Sequence, residues 1–123
     1  EFRRVLFRSV PVPLTRKRQR NRGYNQSMQL AKGIADVVGL PIESKAVERI
    51  IFNKSQTRLD RMQRNLNTEN TFKLCKPQLL AHKNVLIIDD VCTTGATLRA
   101  CGNEMLKAEG VTLNILTLGF TMD

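Results

Sequence analysis

The chain has 123 residues, 41% of them hydrophobic and 25% charged, which is enough for one small globular domain and too little for two. No stretch approaches the roughly 18 consecutive apolar residues of a membrane span, so a soluble protein with no membrane partner is expected. Cys75, Cys92 and Cys101 are odd in number and lack Cys-x-x-Cys spacing. They indicate neither a disulfide framework nor a zinc site, so no protein-held metal is expected and a reducing, cytoplasmic setting fits best.

Residues 1–9, Glu1 to Ser9, match the in-frame translation of a common sequencing-library adapter. We set them aside as a non-native segment and place the domain at 10–123; the alternative is a short amphipathic N-terminal strand or anchor. Sequencing reads carrying native codons at these positions would remove the adapter reading. Without Glu1, Arg3, Arg4 and Arg8 the formal charge falls from +9 to +7, so the domain stays basic. It also begins inside what reads as a strand, so N-terminal truncation is expected.

Val10-Pro11-Val12-Pro13-Leu14 alternates apolar residues with prolines, which restrict it to an extended edge or a strand start. A basic loop follows, with Arg16, Lys17, Arg18, Arg20 and Arg22 and no acid, ending at the hinge Gly23. Such a run is usually a solvated face. Its place before a helix N-terminus also suits an anion grip, for which forked guanidinium groups are apt. Asn25 or Ser27 then caps a helix with apolar positions Leu30, Ile34, Val37 and Val38, stopped by Gly39 and Pro41.

Val47 to Phe52 reads as a second strand, although Glu48 and Arg49 interrupt it. Residues 53–70 are polar and form either a mobile loop or a marginal helix. Arg58, Arg61 and Arg64 would line one side of that helix, as a solvated face or as a lid carrying cations to a leaving group. Gln56 is a hydrogen-bonding helper there. Phe72 to Leu74 suggests a short strand.

Val85 to Ile88 is a short apolar run, consistent with a strand buried on both faces or with buried helix; its flanks favour strand. Asp89 and Asp90 then fall at the carboxyl end, where ligands of open α/β sheets bind. Two carboxylates there suit a vicinal diol, or a metal held through water. Thr93, Thr94 and Thr97 add hydroxyl donors, and Gly95 permits backbone angles that turn several N–H groups toward one point. A helix starting near Thr97 adds its dipole, a further reason for phosphate to settle. The structural alternative is an ordinary turn with an Asx or Thr cap. Cys92 reads as a small apolar filler rather than a nucleophile. Leu98, Cys101, Met105 and Ala108 mark one helix face, ended by Gly110. Val111 to Phe120 is the last strand. Alternating strands and helices imply an α/β fold with an open, mostly parallel sheet and flanking helices.

The thirteen residues Val85 to Thr97 resemble the phosphoribosyl pyrophosphate (PRPP) signature of type I phosphoribosyltransferases. The resemblance implies that Asp89 and Asp90 hold the ribose hydroxyls and that the loop through Cys92, Thr93, Thr94, Gly95, Ala96 and Thr97 wraps the 5′-phosphate. Ala96 stands where many members have a second Gly. Val10 to Leu14, Arg22-Gly-Tyr-Asn-Gln26 and the Gln56–Asn65 segment narrow the likeness to the ComF/GntX group of phosphoribosyltransferase-like proteins. That implies transfer, or only binding, of a phosphoribosyl group, with pyrophosphate leaving and Mg²⁺ bound mainly through PRPP. Arg20, Arg22 and Gly23 are the candidate pyrophosphate contacts, and Arg58 and Arg61 join Asp89 and Asp90 as catalytic candidates. A non-catalytic PRPP or nucleotide sensor is the second reading. The third is a nucleic-acid-binding accessory factor in DNA uptake (competence), acting through the basic segment 16–22. A homodimer is a candidate assembly.

Overall fold

The computed structural model describes residues 6–50 and 71–121. Three parallel strands form the sheet in the order β1 (Phe7–Pro11), β4 (Asn84–Cys92), β5 (Thr112–Phe120). β2 (Val47–Arg49) and β3 (Phe72–Leu74) pair antiparallel as a separate ribbon. The helices are α1 (Arg16–Arg22), α2 (Gln26–Val38) and α3 (Ala96–Met105).

β1 starts at Phe7 and ends at Pro11, earlier than the strand expected over Val10 to Leu14, and it crosses the boundary drawn at Val10. Its ladder runs from Phe7 opposite Asn84 to Pro11 opposite Ile88 and is extended by a Val12 N–H···O=C Ile88 bond of 2.8 Å. Pairing of this kind uses backbone groups and accepts any extended sequence. On the outer side of β1, Ser9 bridges Ile42 in parallel, with its N–H on Pro41 O and its carbonyl accepting from Glu43 N, both at 2.8 Å.

The segment read as a basic loop is helical. Thr15 caps α1 by accepting from the Arg18 N–H, and Gly23, at φ 80°, closes it in the left-handed conformation. Two caps outweigh the repulsion among clustered cations on a helix this short. Asn25, rather than Ser27, caps α2, accepting from the N–H groups of Ser27 and Met28. The buried residues of α2 are Ser27 and Ala31, while Val37 is 84% exposed, so the expected apolar face turns away from solvent only in part.

Alternation assigns the faces. Val10, Val12, Val85 and Ile87 join Leu98, Cys101, Met105 and Ala108 in one core cluster, although α3 ends at Met105, before the expected stop at Gly110, and Ala108 lies in the turn beyond it. A β-carbon added at Gly102 would meet the side chains of Ile87 and Leu113 at 3.7 Å, an ordinary van der Waals contact. Pro11 and Ile88 point the other way, and α2, which packs on β1 and β4, covers them there, since Pro11 shares a cavity with Met28 and Lys32. Each crossover therefore takes its own face. The chain leaves β1 outward through α2 toward Ile42, and leaves β4 outward through α3 to β5. The strand order reverses between β1 and β4, which is the switch point where open α/β sheets bind ligands. Among the described residues β5 is the outer strand, with Leu118 73% and Phe120 70% exposed.

The ribbon closes at Arg49 opposite Phe72, with Arg49 over the Phe72 ring at 5.2 Å and Ile50 N–H on Thr71 O at 2.9 Å. Its second strand matches the expected Phe72 to Leu74; its first runs Val47–Arg49 with Ile50 outside it, and Ile51 and Phe52 of the expected strand lie outside the described residues. Glu104 ties it to α3 by accepting from the Leu74 N–H at 3.0 Å, and it also pairs with Lys107 at 2.8 Å. The Lys107 contact holds the Glu104 carboxyl below the usual range against the opposing effect of burial.

Candidate functional site

β4 runs on to Cys92, so Asp89 and Asp90 lie within the strand rather than just after an end at Ile88. Ladder pairing to β5 through Asp89–Thr117, Val91–Gly119 and Cys92–Phe120 fixes the backbone of both carboxylates. Both side chains are partly buried. Asp89 Oδ1 accepts from its neighbour's N–H at 3.0 Å, and Asp90 Oδ1 accepts from the Val91 N–H at 2.8 Å.

The position of Ser27 as a partner was not legible in the sequence. Its buried hydroxyl donates to Asp89 Oδ1 at 3.2 Å across 62 positions of sequence. Asn25 sets this contact up. Its Oδ1 caps α2 while its Nδ2 donates to Val12 O at 3.1 Å, which locks the start of α2 to the exit of β1. Desolvation pushes the Asp89 carboxyl above the ordinary carboxylate range, helped by a hydrogen bond to Asp90; the Asp90 N–H and the Ser27 hydroxyl pull it back.

Beyond β4, the backbone turns at Gly95, whose φ of 82° is the left-handed region that a β-carbon disfavours. Arg99 N–H closes the first helical bond on Gly95 O at 2.8 Å, and Thr94 Oγ1 accepts from the Ala96 N–H at 3.2 Å. Asp89, Cys92, Thr93, Gly95, Ala96 and Thr97 line one shallow dish of about 20 Å³. Thr93 and Thr94 are exposed, Thr97 is half-buried, and Cys92 packs against the core cluster, as a filler would. The dish joins hydroxyl donors, the positive end of α3 and an acidic rim, so it can take an anion on one side and hydroxyl groups on the other.

Arg20 and Arg22 lie on the exposed surface of α1, where Arg22 donates to Gln26 Oε1 at 2.7 Å. Gly23 forms the elbow between α1 and α2. Gln56, Arg58, Arg61, Arg64 and Asn65 lie outside the described residues. Burial pushes the Cys101 thiol up to about 12, so it is inert packing. Among the described residues, no cluster of three or more His, Cys, Asp or Glu side chains is placed to hold a metal ion, and no helix is long and apolar enough to cross a membrane.

The phosphoribosyl transferase domain matches residues 4–119. This chain belongs to that family, in its ComF-type branch. It is 32% identical over 115 residues to DNA utilization protein YhgH of Salmonella typhi, covering 94% of this chain and 50% of that protein. Competence protein F of Haemophilus influenzae is 33% identical over 103 residues, covering 83% and 44%. Competence protein ComFC of Bacillus subtilis is 30% identical over 113 residues, covering 91% and 44%. The chain thus spans about half the length of these relatives or less. Among solved structures, purine phosphoribosyltransferase from Pyrococcus horikoshii Ot3 superposes with a TM-score of 0.52 at 15% identity, covering 91% of this chain and 68% of that one. That likeness shows the fold alone.

Proposed function

We propose that this ComF-type domain binds PRPP at the dish beyond β4 and supports transfer of its phosphoribosyl group. The observation that carries the reading is that Asp89 lines one dish with Thr93, Gly95, Ala96 and Thr97 at the α3 N-terminus, with Asp90 its neighbour along β4. Asp89 and Asp90 accept hydrogen bonds from the ribose hydroxyls, while Thr93, Thr94 and Thr97 with the loop N–H groups take the 5′-phosphate. Holding both ends of the ribose leaves C1 exposed as its bond to pyrophosphate weakens, and the nearby carboxylates favour the oxocarbenium character that develops there.

Arg20 and Arg22 are the described cations assigned to the pyrophosphate side, and Arg58 and Arg61 are assigned the same duty. The two carboxylates are hard oxygen donors of the type Mg²⁺ takes, and two such groups fit an ion bound mainly through its ligand's own oxygens. Bound there, Mg²⁺ supplies charge neutralisation for the leaving pyrophosphate. Calorimetric titration with PRPP and Mg²⁺ tests the reading. Saturable heat from the wild type and none from Asp89→Asn/Asp90→Asn is expected, and a wild type without measurable binding overturns it. Pyrophosphate release on addition of base or amine acceptors separates a transferase from a sensor.

A second reading rests on the exposed Arg18, Arg20 and Arg22 of α1 and on relatives named for DNA utilization and competence. It assigns α1 to nucleic-acid phosphates. Binding whose logarithm falls linearly with the logarithm of salt, with a slope that flattens on substituting these residues, is the expected result. DNA binding that is absent or insensitive to salt removes it.

A further inference from the structure

Among the described residues, β1 and β5 are the outer strands of the sheet, and they are finished differently. β1 carries Arg8 and Pro11 and is bridged on its outer side by Ile42. β5, Thr112–Phe120, is nine residues long with no proline and no charge, whereas each of the other four strands holds at least one charged residue. A long outer strand without a lysine, a proline or a cover is open to pairing with another chain.

The backbone is set for such pairing. Thr112 N–H donates to Lys83 O at 3.0 Å, so the main chain of that residue faces β4. Alternation then turns the N–H and C=O groups of Leu113, Ile115 and Thr117 away from β4, where no described strand meets them. Ile115, Leu116, Leu118 and Phe120 supply exposed apolar side chains along the same strand, while α2 packs on β1 and β4.

Charge indicates what fits there. The chain carries a formal +9, so two copies repel wherever their cations face each other. β5 is the strand along which they can meet without that repulsion, and it holds no cation to draw an acidic partner. We propose that β5 pairs antiparallel with β5 of a second copy, about a two-fold axis, to give one continuous six-stranded sheet. Only one register pairs all nine residues, and it sets Leu116 on the axis, facing Leu116 of the second copy. Leu116 has the same backbone orientation as Thr112, so this central pair is not hydrogen-bonded and the two side chains are close, at a Cα separation of about 4.5 Å. Ile115 exchanges backbone bonds with Thr117 of the second copy, and Leu118 lies opposite its Asn114. The contact is self-complementary and closed, because each copy uses its β5 edge once. Antiparallel pairing sends the two dishes to opposite ends of the joined sheet, so the dimer stands whatever the dish binds. One strand pair and four apolar side chains from each copy lie at the small end of specific interfaces, so the association is reversible.

Sedimentation equilibrium of the full chain, from micromolar to submillimolar concentration, tests this. The wild type should pass from monomer to dimer with no larger species, and the dimer should strengthen as salt screens the positive charge of the two copies. Leu116→Lys and Leu116→Glu should each weaken it by roughly tenfold or more, because like charges then face each other across the axis. An equal mixture of the two variants should recover the dimer, which shows that both are folded. Leu118→Lys, at a side chain 73% exposed in the single copy, should weaken it as well. A wild type that stays monomeric, association that continues past two copies, a dimer that salt dissociates, or Leu116 and Leu118 variants that dimerise like the wild type would overturn the proposal.

Discussion

The acidic corner in the last residues of β4 and the basic helix after β1 lie at the same end of neighbouring parallel strands, yet they are built differently. At the corner, Asp89 is held by Ser27 and by the Asp90 N–H, Asp90 is tied to Val91, and Thr94 is tied to Ala96. On α1 the caps fix the backbone while Arg18, Arg20 and Arg22 lie on the exposed surface, Arg22 donating to Gln26 Oε1. The corner is thus preorganised and selects a shape; the helix presents charge and contributes attraction over a longer range. Substitutions at the corner should abolish recognition, and those on the helix should weaken it in a manner that depends on salt.

The largest effect is expected from Asp89→Asn/Asp90→Asn. Losing charge-assisted bonds worth roughly 1.5–3 kcal/mol each lowers PRPP affinity by about a hundredfold or more, read by calorimetry. Asp89→Asn alone also separates function from stability. Because burial raises the Asp89 carboxyl, its contribution to stability is present in acid and is lost as pH rises through its folded value. The variant should therefore melt above the wild type at neutral pH, and the gap should close in acid. A variant that melts lower at neutral pH would contradict this account.

Gly95→Val comes next. A β-branched residue at φ 82° costs on the order of 1–3 kcal/mol, which is enough to unseat the loop. PRPP affinity should fall by roughly tenfold or more while the circular dichroism of the sheet is preserved.

Ser27→Ala is a smaller change with a distinctive signature. The hydroxyl lowers the Asp89 carboxyl, so removing it lets that value rise further. PRPP affinity should drop a few-fold at neutral pH, and its loss on acidification should begin at higher pH than in the wild type. Identical pH profiles would show that Ser27 does not act through Asp89.

The smallest effect at physiological ionic strength is expected from Arg18→Ala/Arg20→Ala/Arg22→Ala. Exposed cations are screened beyond about 8 Å at that salt, so the affinity loss should grow as salt is lowered. A loss independent of salt would mean that the helix makes fixed contacts, and the contrast with the corner would fail.

The same contrast governs what was legible in the sequence. Val85 to Thr97 is a local strand, turn and helix start, and every requirement for it lies within thirteen consecutive residues. The core face of α3 was equally plain, since Leu98, Cys101 and Met105 repeat at helical spacing and are all buried, while Ala108 is buried from the turn beyond the helix end. α1 was misread because clustered cations suggested a loop, although Thr15 and Gly23 already bracketed a helix. The Ser27–Asp89 bond was not legible, because it joins elements brought together by the crossover from β1 toward β4. Phe7 to Ser9 enter the sheet through backbone pairing, which leaves no mark on side-chain pattern.

Amide chemical-shift mapping of the isotopically labelled chain during PRPP and Mg²⁺ titration tests the central claim most directly. The largest perturbations are expected at Asp90 to Leu98 and at Ser27 and Met28, with smaller ones along Arg16 to Arg22. Perturbations strongest along α1, with the Thr93–Thr97 amides unmoved, would contradict the assignment of the ribose phosphate to the corner beyond β4.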